Sequence, residues 1–242
     1  MALRNIPTHI SQQFDKELND LRSNVLAMGG LVEDHLTKAL DALSNGDSEL
    51  AEYVATHDYK VNALEVEIDE ECTGILLRRQ PAAGDLRLVL AVSKTITDLE
   101  RIGDEVEKVG RMTVDLTTQE SPKAYYVGIL AMGNHVKRIL HDVLDAFARM
   151  DSQAAFRVAQ QDPEVDAEND AIMRQLITYM MEDPRSISQV LSAVLAVRAF
   201  ERIGDHANNI GEYIIYFVEG KDVRHTSLED IEQELNLSRN KS

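Results

Sequence analysis

The pentapeptide Glu-Arg-Ile-Gly-Asp stands at residues 100–104 and again at 201–205. The interval of 101 residues is close to half of a 242-residue chain. A chain written twice folds most simply as two copies of one unit, so an expectation for one half must also suit the other. The match extends beyond the pentapeptide. Met28-Gly29 corresponds to Met132-Gly133, Leu36 and Leu40 to Leu140 and Leu144, and Asp58 with Val61 to Asp162 with Val165, all 104 residues apart. After a short gap the interval becomes 101, pairing Leu99 with Phe200, Val109 with Ile210 and Gly110 with Gly211.

The unit is helical. Apolar residues recur at steps of three and four from Phe14 through Leu18, Leu21, Val25, Met28, Val32, Leu36 and Ala39 to Leu43, which is one face of an α-helix. Asn45-Gly46 ends that run, Asp47 or Ser48 caps the next helix, and Pro81 closes it after Gln80. A third helix spans 84–118. The pattern restarts after the polar connector 119–123, with helices expected at 124–150, 152–182 and, behind the Asp183-Pro184 start signal, 184–219. Pro163 lacks a backbone donor, so a break is expected at 161–163 with Asp162 as N-cap, and a bend at His57-Asp58 to match. The expected fold is all-α: two tandem three-helix bundles related by internal duplication, at 10–118 and 124–219. Residues 1–9 are read as loose and 220–242 as a polar C-terminal tail with a short helix over 227–237. Aromatic residues make up only 5% of the chain and Trp is absent, which suits helix-on-helix packing of Leu, Val, Ile, Ala and Met.

A net charge of −17 disfavours nucleic acid as a partner and favours cations or basic protein surfaces. No apolar run approaches the length of a membrane-spanning helix, and no signal sequence is expected. The single cysteine, Cys72, fits a reducing compartment, so a soluble cytoplasmic protein is expected.

Each pentapeptide carries two carboxylates four residues apart, Glu100 with Asp104 and Glu201 with Asp205, on one helical face beside the apolar stripe. A hard cation needs oxygens from more than one element. The other repeated polar pairs, Asp58 with Asn62 and Asp162 with Asp166, supply them, giving up to four side-chain oxygens per half. The plainer alternative stays open: acid pairs at this spacing also occur on solvated helices, and Arg101 and Arg202 stand ready to neutralise them. No Glu-x-x-His pair accompanies the acids, which disfavours an oxygen-activating di-iron enzyme. Nucleophile elbow, phosphate-binding glycine loop and zinc-type Cys/His spacing are all missing from the sequence. His206 reads as a surface residue or as support for a ligand. Arg78, Arg79 and Arg87 read as a solvated helix end or a contact for an acidic partner.

The two pentapeptides, with Thr97-Asp98-Leu99 before the first, Val197-Arg198-Ala199-Phe200 before the second and Val61-Asn62-Ala63-Leu64-Glu65 on the second helix, closely resemble the PhoU family over about residues 10–220. The resemblance implies a non-enzymatic cytoplasmic regulator that restrains phosphate uptake and the phosphate-starvation response. It implies an adaptor between the ATPase subunit of a phosphate ABC transporter and a phosphate sensor histidine kinase, and a homodimer. It also implies bound iron, manganese, magnesium or zinc, held by Glu100, Asp104, Asp58 and Asn62 in the first half and by Glu201, Asp205, Asp162 and Asp166 in the second. Asn62 departs from the family's acidic pattern, so the first site is expected to bind more weakly. A carboxylate-bridged metalloenzyme and a metal-free helical scaffold are the alternatives.

Overall fold

The computed structural model describes residues 12–118 and 124–239. The N-terminal residues 1–9 and the connector 119–123 lie outside the described residues. Nine α-helices and one short 3-10 turn occur among the described residues, with no strand: α1 (Gln12–Asn45), α2 (Ser48–Val54), α3 (Tyr59–Arg79), α4 (Ala83–Thr118), α5 (Ala124–Arg149), α6 (Ser152–Ala159), α7 (Asp162–Glu182), the turn Pro184–Ser186, α8 (Ile187–Glu219) and α9 (Leu228–Arg239).

The middle helix of each half is split, giving α2 with α3 and α6 with α7. Asp47 and Asp151, equivalent residues, open the short pieces alike, each side chain accepting from the backbone N–H groups of the first turn. The position just before each cap is left-handed, filled by Gly46 in the first half and by Met150 in the second. Asp162 is not the N-cap expected of it. Gln161 holds that position without a side-chain cap, and Asp162 is the first helical residue, with Pro163 following where its missing N–H has no helical partner to lose. Asp183 caps the 3-10 turn through Arg185 N–H before α8 begins.

The four long helices form a central layer in which α1 packs on α4, α4 on α8, α8 on α5 and α5 back on α1, with the split helices outside. All nine apolar positions of the α1 stripe are buried, as are Leu99, Ile102, Val106, Val109 and Leu116 of α4. The halves meet reciprocally. Leu144 of α5 lies where a side chain on Gly29 of α1 would stand, and Leu40 of α1 lies where one on Gly133 of α5 would stand. These four residues are two duplicated pairs, so the repeated glycines mark an antiparallel crossing in which each half inserts a leucine into the other.

The α4–α8 seam is antiparallel and polar at its centre. Asp98 accepts from His206 Nδ1 at 2.6 Å and from Asn209 Nδ2 at 3.2 Å. Glu105 pairs with Arg202 of the other half at 2.8 Å and with Lys108 at 2.9 Å. Asp98, Glu105 and His206 are all buried, so His206 is not a surface residue but a bond between the halves. Of the basic cluster, Arg79 is committed to Glu17, with Nε and a terminal nitrogen at 2.9 and 2.7 Å, tying α3 to α1. The segment beyond 219 is less polar in its packing than expected. Val223, Ile231 and Leu235 join the core, and α9 lies on α6.

Gly133→Val should lower the unfolding free energy by about 1–3 kcal/mol through overpacking against Leu40 and Phe200. Gly30→Ala, exposed and with nothing within 4 Å, should instead raise it by up to about 1 kcal/mol. Urea denaturation of both variants checks the crossing; equal effects would contradict it.

Candidate functional site

The break between α2 and α3 puts Asp58 at the head of α3, facing α4. Its backbone is helical and its side chain makes no capping bond. The carboxylate turns instead onto α4 at Gly103, where a Cβ would meet Asp58 Oδ1 at 2.5 Å. The glycine of the first pentapeptide is therefore the space that Asp58 occupies. Asp58 is 3% exposed, and neither of its oxygens has a hydrogen-bond partner. A buried charge left so is costly.

Around it stand further acids. Ligand atoms of Asp58, Asp104 and Glu107 lie within 4.8 Å of one another, which is the one such group of three found among the described residues. Burial, then the charges of Asp104, Glu107 and Glu100, push the Asp58 carboxyl up to about 6. The Asn62 amide opposes that rise without reaching hydrogen-bond geometry. Arg111 pairs with Glu107 one turn along α4.

Of the four residues expected in the first half, the structure brings Asp58 and Asp104 together. Glu100 and Asn62 lie further along the seam. The helices α3 and α4 are antiparallel, with Asp58 against Gly103 and Asp69 bonded to Ser93, so Asn62 is level with Glu100 and one turn away from the cluster. Asn62 is exposed. Burial raises the Glu100 carboxyl, with Asp104 and Glu65 adding to the effect. Glu107 was not singled out from the sequence. It sits three residues past the pentapeptide on the same helical face, and that spacing is the signal that could have found it.

The second half gathers its acids more loosely. Burial and then Asp166 raise Asp162, while desolvation and then Asp162, Glu201 and Asp166 lift Asp205 to about 6. Asp205 and Asp166 are both exposed, so solvent screens their repulsion as it cannot at Asp58. Glu201 accepts from Asn169 Nδ2 at 3.4 Å. Val165, not a carboxylate, covers Gly204. The residue equivalent to Glu107 is Asn208, whose buried Oδ1 has no hydrogen-bond partner.

The donor set fits a hard cation. Three carboxylates with ligand oxygens within 4.8 Å of one another, one with two unpaired buried oxygens, match the oxygen-only preference of magnesium, manganese and iron better than the nitrogen and sulfur preference of zinc. A bound cation would neutralise the cluster and join the head of α3 to α4.

In the metal-free protein Asp58 binds its proton more tightly folded than unfolded, where an aspartate titrates near 4. Folding stability in chelator should therefore fall as pH rises from about 4 to about 6 and then level. Asp58→Asn should flatten that slope and stabilise the metal-free protein at pH 7 by about 1–3 kcal/mol. Urea melts in chelator at pH 5, 6 and 7.5 test this; a variant less stable than the parent at pH 7 would contradict it.

Comparison with known proteins gives matches over nearly the whole chain. A family model described as the PhoU domain matches twice, at residues 25–113 and 129–214. A phosphate-specific transport system accessory protein PhoU homolog of Pseudomonas aeruginosa is 52% identical over 232 residues, 96% of each chain. The phosphate-specific transport system accessory protein PhoU of Escherichia coli strain K12 is 47% identical over 229 residues, 95% of each chain. The crystal structure of PhoU from Pseudomonas aeruginosa has a TM-score of 0.84 at 51% identity, covering 86% of this chain and 100% of that one. The phosphate transport system regulatory protein PhoU from Streptococcus pneumoniae has a TM-score of 0.80 at 30% identity, covering 87% of this chain and 99% of that one.

Proposed function

The chain belongs to the PhoU family, and we propose that it is a cytoplasmic, non-enzymatic negative regulator of phosphate uptake and of the phosphate-starvation response. In this reading it is an adaptor that contacts the ATPase subunit of a phosphate ABC transporter and a phosphate sensor histidine kinase, and it acts as a homodimer. The observation that carries the reading is identity of about half the residues, across both repeats, to proteins named as accessory to phosphate-specific transport.

Two features support an adaptor. No helix among the described residues is long and apolar enough to cross a membrane, so contact with a membrane transporter would run through protein surface. That surface includes partly exposed apolar side chains. Leu86 and Leu90 on α4, and Ile187 and Leu191 at the equivalent positions of α8, are 37–51% exposed, and Leu195 extends the second stripe by one turn.

The eight residues Asp58, Asn62, Glu100, Asp104, Asp162, Asp166, Glu201 and Asp205 are proposed to serve cation binding in the two halves. The cation is proposed to set shape and not to perform chemistry. It would bind the folded form, whose acids are already gathered, and so stiffen the α2–α3 break against α4.

A tagged copy of the chain should recover the ATPase subunit from cells grown at high phosphate, and recover less of it at low phosphate. Leu191→Glu with Leu195→Glu should weaken recovery at high phosphate while leaving helix content unchanged by circular dichroism. Recovery of neither the ATPase subunit nor the kinase at either phosphate level would remove the adaptor reading. Undiminished recovery in strong chelator would detach the cation from it.

A further inference from the structure

We infer that Glu107, which lies outside the repeated pentapeptide, is the third protein ligand of a hard cation with Asp58 and Asp104, and that the first half is therefore the tighter of two unequal sites. This rests on the cation-binding reading above and reverses the order that Asn62 implies from sequence.

Geometry selects Glu107 over Glu100. The two glutamates are seven residues apart on α4, about 10.5 Å along the axis, so they cannot both share one ion with Asp58. Asp58 sits against Gly103 with its ligand atom within 4.8 Å of those of Asp104 and Glu107. The buried and unpartnered state of both Asp58 oxygens is an independent sign that the cluster lacks a positive centre. Arg111 supplies one from outside by holding an oxygen of Glu107, and so keeps that carboxylate at the rim of the cluster. Nothing equivalent is assembled in the second half. Asn208 stands in the place of Glu107, and no three ligand-bearing residues there converge as these do among the described residues. Asn62, the residue that made the first half look weaker, is exposed and stands level with Glu100, one turn from the three carboxylates that converge.

Manganese(II) titration of chelator-stripped, full-length protein, followed by calorimetry and by loss of the free-ion paramagnetic resonance signal, tests the assignment. Two classes of site are expected. Glu107→Gln should weaken the tighter class by about 10- to 100-fold and leave the other in place. Asp205→Asn should weaken only the looser class, and Asn208→Glu should tighten it. If Asp104→Asn abolishes the tighter class while Glu107→Gln leaves it unchanged, the cation reading stands and the role of Glu107 falls. If unsubstituted protein binds no manganese in either class, the cation reading itself falls and takes this inference with it. Unchanged circular dichroism for each variant separates lost ligands from lost fold.

Discussion

The antiparallel packing of α4 on α8 is the contact on which the rest of the molecule depends. Each helix carries one copy of the pentapeptide, and each buries its Ile102 or Ile203 in the core. With one side of α4 given to α8 and another to α1, the acids of the motif are left at the shoulder, where α3 comes across. The seam is held by more than apolar area. Asp98 with the buried His206, and buried Glu105 with the exposed Arg202, cross between the halves. Such pairs contribute little net stability against an apolar alternative, but breaking one leaves an uncompensated charge inside. They fix the register of the halves, and the register fixes where the two acid clusters stand.

Duplication explains the architecture, and departures from it explain the site. The halves share the split middle helix, the aspartate caps and the reciprocal leucine–glycine crossing. They differ in what lies over the motif glycine: a carboxylate over Gly103, a valine over Gly204. They differ again three residues beyond the motif, where Glu107 faces the cluster and Asn208 does not extend one. A protein with one tightly and one loosely gathered acid cluster has a built-in asymmetry, with which identical repeats would not be endowed.

Helices and core were legible because local periodicity reports them. The stripe from Phe14 to Leu43 predicted burial at every position it named, and Pro163 predicted the break that also separates α2 from α3. The site was legible as far as duplication marked it. Asp58 and Asp104 lie in repeated positions and do converge, whereas Glu107 has no acidic counterpart and so carried no signal of that kind. His206 was misread because its partner, Asp98, is 108 residues away and on the other half. Pairing across the seam is a tertiary fact that spacing within one helix cannot express. The short helix expected in the tail is present as α9, but its docking was not legible: Ile231 and Leu235, apolar among polar residues, matter only once α6 is there to receive the helix.

The most direct test of the account is a crystal structure of the protein grown with manganese(II), with anomalous scattering recorded near the manganese absorption edge. The account predicts a peak bounded by oxygens of Asp58, Asp104 and Glu107 across the α3–α4 seam. A fully loaded crystal with no peak there, and with Asp58 hydrogen-bonded to protein groups in its place, would contradict it.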